Sequence, residues 1–321
     1  MNLEQYKDKI EHAITELKRL DLYLLDSDTK LLNEAFDILY QREIFTLYRV
    51  DKSLHNEYKF MLFSMLTKHS GSLAFLAIQI LASNAIMAGA NFPKREEYFA
   101  KKCGIAINHL RAPVTVVSAT ECDGGYKLKG MLSWASGYKI FDTLLIGFHY
   151  DSREYEAMAE FKSSENFRVG EVATSFVGNS MATVNIELDD FFVPFEDVVS
   201  SKLMGNYTKA KSVSKTVHFA LYGVGVGAVE ALMDREVKEK ASKELNEIKE
   251  QFLNTEDGAV MDGLRIKLFM LIQKIVTTGM VLYGGKSILI EEQMQRYYRE
   301  LIMFNSNGLN STIKGLFKAE F

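Results

Sequence analysis

Histidine and cysteine are the side chains of this chain best suited to holding a metal, and their spacing argues against that use. His12, His55, His69, His109, His149 and His218 include no pair four residues apart, the separation that sets two imidazoles on one helical face. Cys103 and Cys122 are too few for a four-thiolate zinc site or a disulfide framework, and unpaired thiols point to a reducing cytoplasm. No metal is expected. A lone histidine is more often a packing residue than a ligand. Arg296 and Arg299 stand at i and i+3 on a predicted helix, where they share one face.

Charge excludes a second class of chemistry. The 321 residues carry 38 Lys+Arg against 42 Asp+Glu, a net of −4, whereas nucleic-acid binding leaves a clustered basic footprint. A hydrophobic share of 47% with 25% charged residues is enough for a buried core and excludes a long disordered chain.

Periodicity supplies the elements that must position any site. Leu3, Tyr6, Ile10, Ile14, Leu17 and Leu20 recur at spacings of three and four, which predicts a helix buried on one face. A second helix is expected across DTKLLNEAFDILYQ, opened by Asp28 or Thr29, and a third across NEYKFMLFSMLTKH. From Ser70 to Pro93 no residue is charged. That segment is long enough to span a bilayer, but its Ser, Asn, Gln, Ala and Gly content suits a helix packed on all sides within a protein. No membrane partner is expected.

The texture changes at about 113. PVTVVSAT, YKLKGMLS, TLLIGFHY, EYEAMAEF, FRVGEVAT and ATVNIEL are β-branched and aromatic runs separated by turn signals such as CDGG and SSEN. Tyr126, Leu128, Gly130 and Leu132 alternate with Lys127 and Lys129. After Pro194 helices return: an apolar VHFALYGVGVGAVEALM with three alternate glycines, a charged DREVKEKASKELNEIKEQF, and two more long helices ending near Phe304. The expected fold is α+β and mostly α. It has an N-terminal helical domain (1–100), a central antiparallel β-barrel (101–205) and a C-terminal helical bundle (206–321).

That order resembles the acyl-CoA dehydrogenase superfamily, and two motifs carry the resemblance. GGYKLKGMLSWASG and NIELDDFFVPFEDVV are similar to the family's strand–turn–strand "dGdgyvLnGtKxWitnG" and its later "VP" exit from the barrel. Gly284-Gly285, ten residues, Arg296, two residues and Arg299-Glu300 are similar to its Gly-Gly…R-x-x-R-D pattern. The first match also has some likeness to the superfamily's flavin-dependent monooxygenase branch. What the resemblance implies is a flavin cofactor, FAD or with FMN as the alternative. It also implies a homo-oligomer, or a hetero-oligomer with a homologue.

Residue by residue, the resemblance places the flavin ring against Trp134, with the Ser136 hydroxyl near its reactive nitrogen and Gly137 leaving room beside it. Without the family match, Trp134 reads as barrel core and Ser136 as a turn. Gly284 and Gly285 are either a helix C-terminus or the backbone that approaches a neighbouring subunit's pyrophosphate. Arg296 and Arg299 are expected to tie the bundle together.

The chain also departs from the pattern. Asn108 and His109 stand in the loop that usually reads TEPGAGSD, and the pyrophosphate-gripping RxxFG has no counterpart. The family's catalytic glutamate position falls on Gly308, and SVSKTVHFALYG holds no carboxylate to replace it. Three functions follow as expectations. The first is desaturation of an acyl thioester with an unusual base such as His218 or Glu300. The second is monooxygenation of an aromatic or similar substrate by reduced flavin and oxygen. The third is a catalytically silent subunit paired with an active homologue.

Overall fold

The computed structural model describes residues 2–112, 114–209, 215–306 and 311–320. Helices α1 (Leu3–Leu17), α2 (Thr29–Gln41), α3 (His55–Leu66), α4 (Gly71–Gly89) and α5 (Arg95–Phe99) come first. Strands β1 (Cys103–Ala106), β2 (Val117–Cys122), β3 (Gly125–Ala135), β4 (Thr143–Tyr150), β5 (Arg153–Glu160), β6 (Phe167–Val169), β7 (Val184–Pro194) and β8 (Val198–Leu203) follow. The chain closes with α6 (Asn206–Lys209), α7 (Thr216–Ala231), α8 (Arg235–Asn254), α9 (Gly258–Tyr283), α10 (Gln293–Asn305) and α11 (Ser311–Ala319).

Local chemistry explains most boundaries. Asn2 and Gln5 form a reciprocal capping box on α1, whose buried face is Tyr6, Ile10, Ala13, Ile14 and Leu17. Asp28 caps α2, its Oδ1 accepting from Lys30 N and Leu31 N at 2.8 and 3.0 Å. The uncharged segment is α4, capped by Ser70, and 67% of it is buried within the fold. The glycines of α7 do what their spacing predicts. A Cβ at Gly223 would meet Phe63 O at 2.4 Å, and one at Gly227 would meet the Tyr297 ring at 2.5 Å. The backbone of α7 therefore lies directly against α3 and α10.

The strands form one sheet in the order β6-β7-β3-β2-β4-β5-β8, with β1 also on β4. Most pairings are antiparallel, but β1 and β2 each pair with β4 in parallel. β1, β8 and the single-turn helices α5 and α6 were not foreseen. One apolar cluster runs from Tyr6 and Phe36 through Leu128, Ile146 and Ile186 to Leu268 and Phe304. A smaller one seals the end of α4 against the sheet through Met87, Phe92, Phe99, Leu145 and Met158.

The last long helix fastens the corner between α3 and α4. Arg296 donates to the carbonyls of His69 and Lys68 at 2.6 and 2.8 Å, where α3 has just ended. One turn further along α10, Glu300 Oε1 accepts from Gly71 N at 2.7 Å, in the first turn of α4. A cation thus meets the carbonyl end of one helix, which suits its dipole, and a buried carboxyl oxygen meets the amide end of the next.

Candidate functional site

Trp134 sits where the alternation of β3 breaks. Tyr126, Leu128 and Leu132 point inward, and a regular strand would bury residue 134 with them. Instead Leu132 pairs with Ile186 and Ala135 with Val184, so three steps on β3 match two on β7. This bulge puts Ala135 inside and turns the indole out, where it is 73% exposed. The sole tryptophan is therefore not barrel core. The turn costs Trp134 a left-handed backbone, φ +60, and the side chain of Asn185 compensates by accepting its N–H at 3.1 Å.

The next residues are fixed from the same segment. Ser136 is buried, its Oγ 2.8 Å from Thr183 Oγ1. Gly137 N–H donates to Met181 O at 2.6 Å. Gly137 has φ +92, and a Cβ there would meet the Phe141 ring at 2.2 Å. Met181, Thr183 and Asn185, alternate residues that run from a 3-10 turn into β7, thus hold Gly137, Ser136 and Trp134 in turn. Sequence reasoning missed these three partners. Only the strand pattern of ATVNIEL marked their neighbourhood, and nothing in it singled out these side chains.

The other expected site residues have separate anchorages. Asn108 is exposed at the start of a 3-10 turn, Asn108–Arg111, that packs on β4. His109 Nε2 lies 2.9 Å from Gly147 O, and burial pushes this imidazole down to about 4, against the pull of that carbonyl. Gly284 ends α9 with φ +69, as the helix-terminus reading predicts, and a Cβ on Gly284 or Gly285 would meet nothing within 4 Å. Around this pair the surface is apolar, with Val281, Leu282, Ile288, Leu289 and Ile290 between 46% and 79% exposed.

Both candidate bases are buried. His218 Nε2 lies 2.9 Å from Met261 O, and burial lowers the imidazole to about 4. Glu300 is 1% exposed and bonded to Gly71 N–H. Burial pushes its carboxyl up to about 7, against the attraction of Arg296. Gly308 lies outside the described residues. The Trp134 corner offers an aromatic face and two hydroxyls. Two concavities lie elsewhere, one of about 670 Å³ between α7 and α8 and one of about 230 Å³ beside Tyr48 and Phe99. Among the described residues no cluster could hold a metal ion.

No protein-family model and no curated protein matches the chain. Solved structures do. Butyryl-CoA dehydrogenase from Megasphaera elsdenii aligns at TM-score 0.70 and 15% identity, over 100% of this chain and 99% of its own. KijD3, solved in complex with FMN and a dTDP-linked amino-keto sugar, aligns at TM-score 0.72 and 15% identity, over 98% and 93%. The HsaA monooxygenase from M. tuberculosis aligns at TM-score 0.69 and 14% identity, over 97% and 94%. The helices, the sheet and the terminal bundle of this chain therefore adopt the fold of the acyl-CoA dehydrogenase superfamily.

Proposed function

We propose that the protein is a flavin-dependent oxidoreductase whose cofactor ring lies on Trp134. The observation that carries this reading is an indole forced outward by a bulge beside a partly buried pair of hydroxyls. A flat apolar surface with nearby polar groups suits a flavin ring. The residues present fit that end of the cofactor. At the pyrophosphate end the fit rests on Gly284 and Gly285, whose open surroundings leave room for a phosphate to reach the backbone. The cofactor is FAD or FMN.

Bound flavin would accept hydride from a substrate or, once reduced, deliver oxygen to one. The described residues favour the second use. Removing the α-proton of an acyl thioester needs a positioned base, and both His218 and Glu300 are buried. Oxygen delivery by reduced flavin needs no such carboxylate, and HsaA, a monooxygenase, shares the fold. The exposed apolar turn around Gly284 supports an oligomer, either with itself or with a homologue. Free Cys103 and Cys122 support a reducing compartment.

One preparation tests the reading. Purified protein that takes up FAD or FMN and consumes oxygen when the flavin is reduced supports it. Bleaching of the flavin by acyl-CoA without oxygen would instead establish acyl-thioester desaturation. Colourless protein with no affinity for either flavin would refute the oxidoreductase and leave the silent subunit.

A further inference from the structure

A buried ion pair lies behind the Trp134 corner, and nothing in the proposed chemistry uses it. Arg299 on α10 reaches across the molecule to Asp26, between α1 and α2, and both side chains are largely buried. The pair closes around a loop of the sheet. Asp26 Oδ1 accepts from Gly178 N at 2.7 Å and from Ser72 Oγ at 3.0 Å. Arg299 Nη1 donates to Phe176 O at 3.0 Å. Two residues on, Ser180 Oγ donates to Leu25 O at 2.5 Å.

The clamped turn is tight. Gly178 has φ +72 and Ala182 has φ +44. A Cβ on Gly178 would meet Met181 Cε at 2.4 Å and Met303 Sδ at 3.3 Å. The turn leads directly into Met181, Thr183 and Asn185, the three residues that fasten Gly137, Ser136 and Trp134.

We infer that Asp26 and Arg299 are positioning residues for the Trp134–Gly137 corner, acting through the 176–183 turn. The inference rests on the flavin reading for its functional meaning, though the mechanical link is independent of it. An unpaired buried charge is costly, so the pair keeps the turn in one place. With the turn fixed, Met181 O and the Thr183 hydroxyl stay where Gly137 and Ser136 need them. The corner is thereby preorganised by groups on two helical segments far from it in sequence.

Amide hydrogen exchange on the full chain tests this link directly. In Asp26→Ala, exchange at Gly137 and Trp134 is expected to rise about tenfold or more, as for a lost hydrogen bond, while Leu145 and Ile146 of β4 keep their protection. Asp26→Asn retains an oxygen for Gly178 and Ser72, and is expected to restore most of the protection at Gly137. Phe252→Leu, in the distant packing of α8, serves as a control for general loss of stability. If the alanine variant does not fold, Ser180→Ala is expected to give a smaller rise in the same direction.

A Gly137 rate that rises no more in Asp26→Ala or Ser180→Ala than in Phe252→Leu overturns the inference. Titration with FAD and FMN forms the second arm. Where wild type binds flavin, Asp26→Ala is expected to weaken it about tenfold and to shift the bound flavin's visible spectrum. Unchanged affinity and spectrum despite faster exchange would overturn the positioning role. Wild type that binds neither flavin would refute the functional reading alone, and exchange would then decide the clamp.

Discussion

Replacing Trp134 by glycine separates a surface indole from a core one. The side chain is 73% exposed, so about a quarter of its area is covered. Of a ring system worth up to ~250 Å², roughly 65 Å² is lost on truncation, or about 1.6 kcal/mol at ~25 cal/mol per Å². Against this, glycine adopts φ +60 without the penalty of about 1 kcal/mol that a side chain incurs there. The two nearly cancel, and urea unfolding of Trp134→Gly should differ from wild type by about 1 kcal/mol or less. Flavin binding should fall much further, because aromatic stacking of a planar base is worth ~1–3 kcal/mol, or about 5- to 150-fold in dissociation constant. Fluorescence titration with FAD and FMN measures that loss. A stability cost of about 3–5 kcal/mol, as for a core tryptophan, would refute the outward-facing indole. Unchanged flavin affinity would refute its role as the ring's seat.

Three further outcomes follow from the same geometry. Gly137→Ala forces a Cβ against Phe141 at 2.2 Å with φ +92, and should destabilise by about 2–4 kcal/mol in denaturant unfolding; a neutral result would mean the corner is loose. For Glu300, the folded carboxyl titrates near 7 against an ordinary 4.5, so the folded state holds the proton more tightly. Its stabilising contribution is complete below pH 4.5 and is lost as the pH rises through 7, on the order of 3 kcal/mol in all. Glu300→Gln should therefore flatten the stability profile between pH 5 and 7, and a slope unchanged by the variant would count against this assignment. The double variant Ile288→Glu/Ile290→Glu should lower the mass found by light scattering; an unchanged mass would remove the turn around Gly284 from any subunit interface.

The long helices were legible from a period, a cap or a run of apolar residues. Asp28 announces α2, and the absence of charge from Ser70 to Pro93 announces α4 as a buried element. Strand positions followed from β-branched and aromatic runs between turn signals, with alternation clear in β3; β1 and β8 went unseen. The corner itself was legible only in part. Trp134, Ser136 and Gly137 were identifiable as a motif, but alternation alone would have placed the indole inward. The bulge that reverses it comes from the register between β3 and β7, a pairing between distant parts of the chain. The clamp on Asp26 was invisible for the same reason: its partners Ser72, Gly178 and Arg299 are brought together only by the fold. Arg299 was expected to tie the bundle together, whereas its bonds run to Gln295 on its own helix and, outside the bundle, to Asp26 and Phe176.

The fastening of α3 and α4 by α10 bears on how the chain acquires its structure. Arg296 and Glu300 meet their backbone partners across more than 225 positions, so a nascent chain would expose that corner until α10 has been made. The N-terminal helices would then consolidate late despite being made first, since contacts of such high order form slowly. Chains stopped short of position 290 should be chaperone clients, protease-sensitive at residues 67–71, while a chain that includes α10 resists cleavage there.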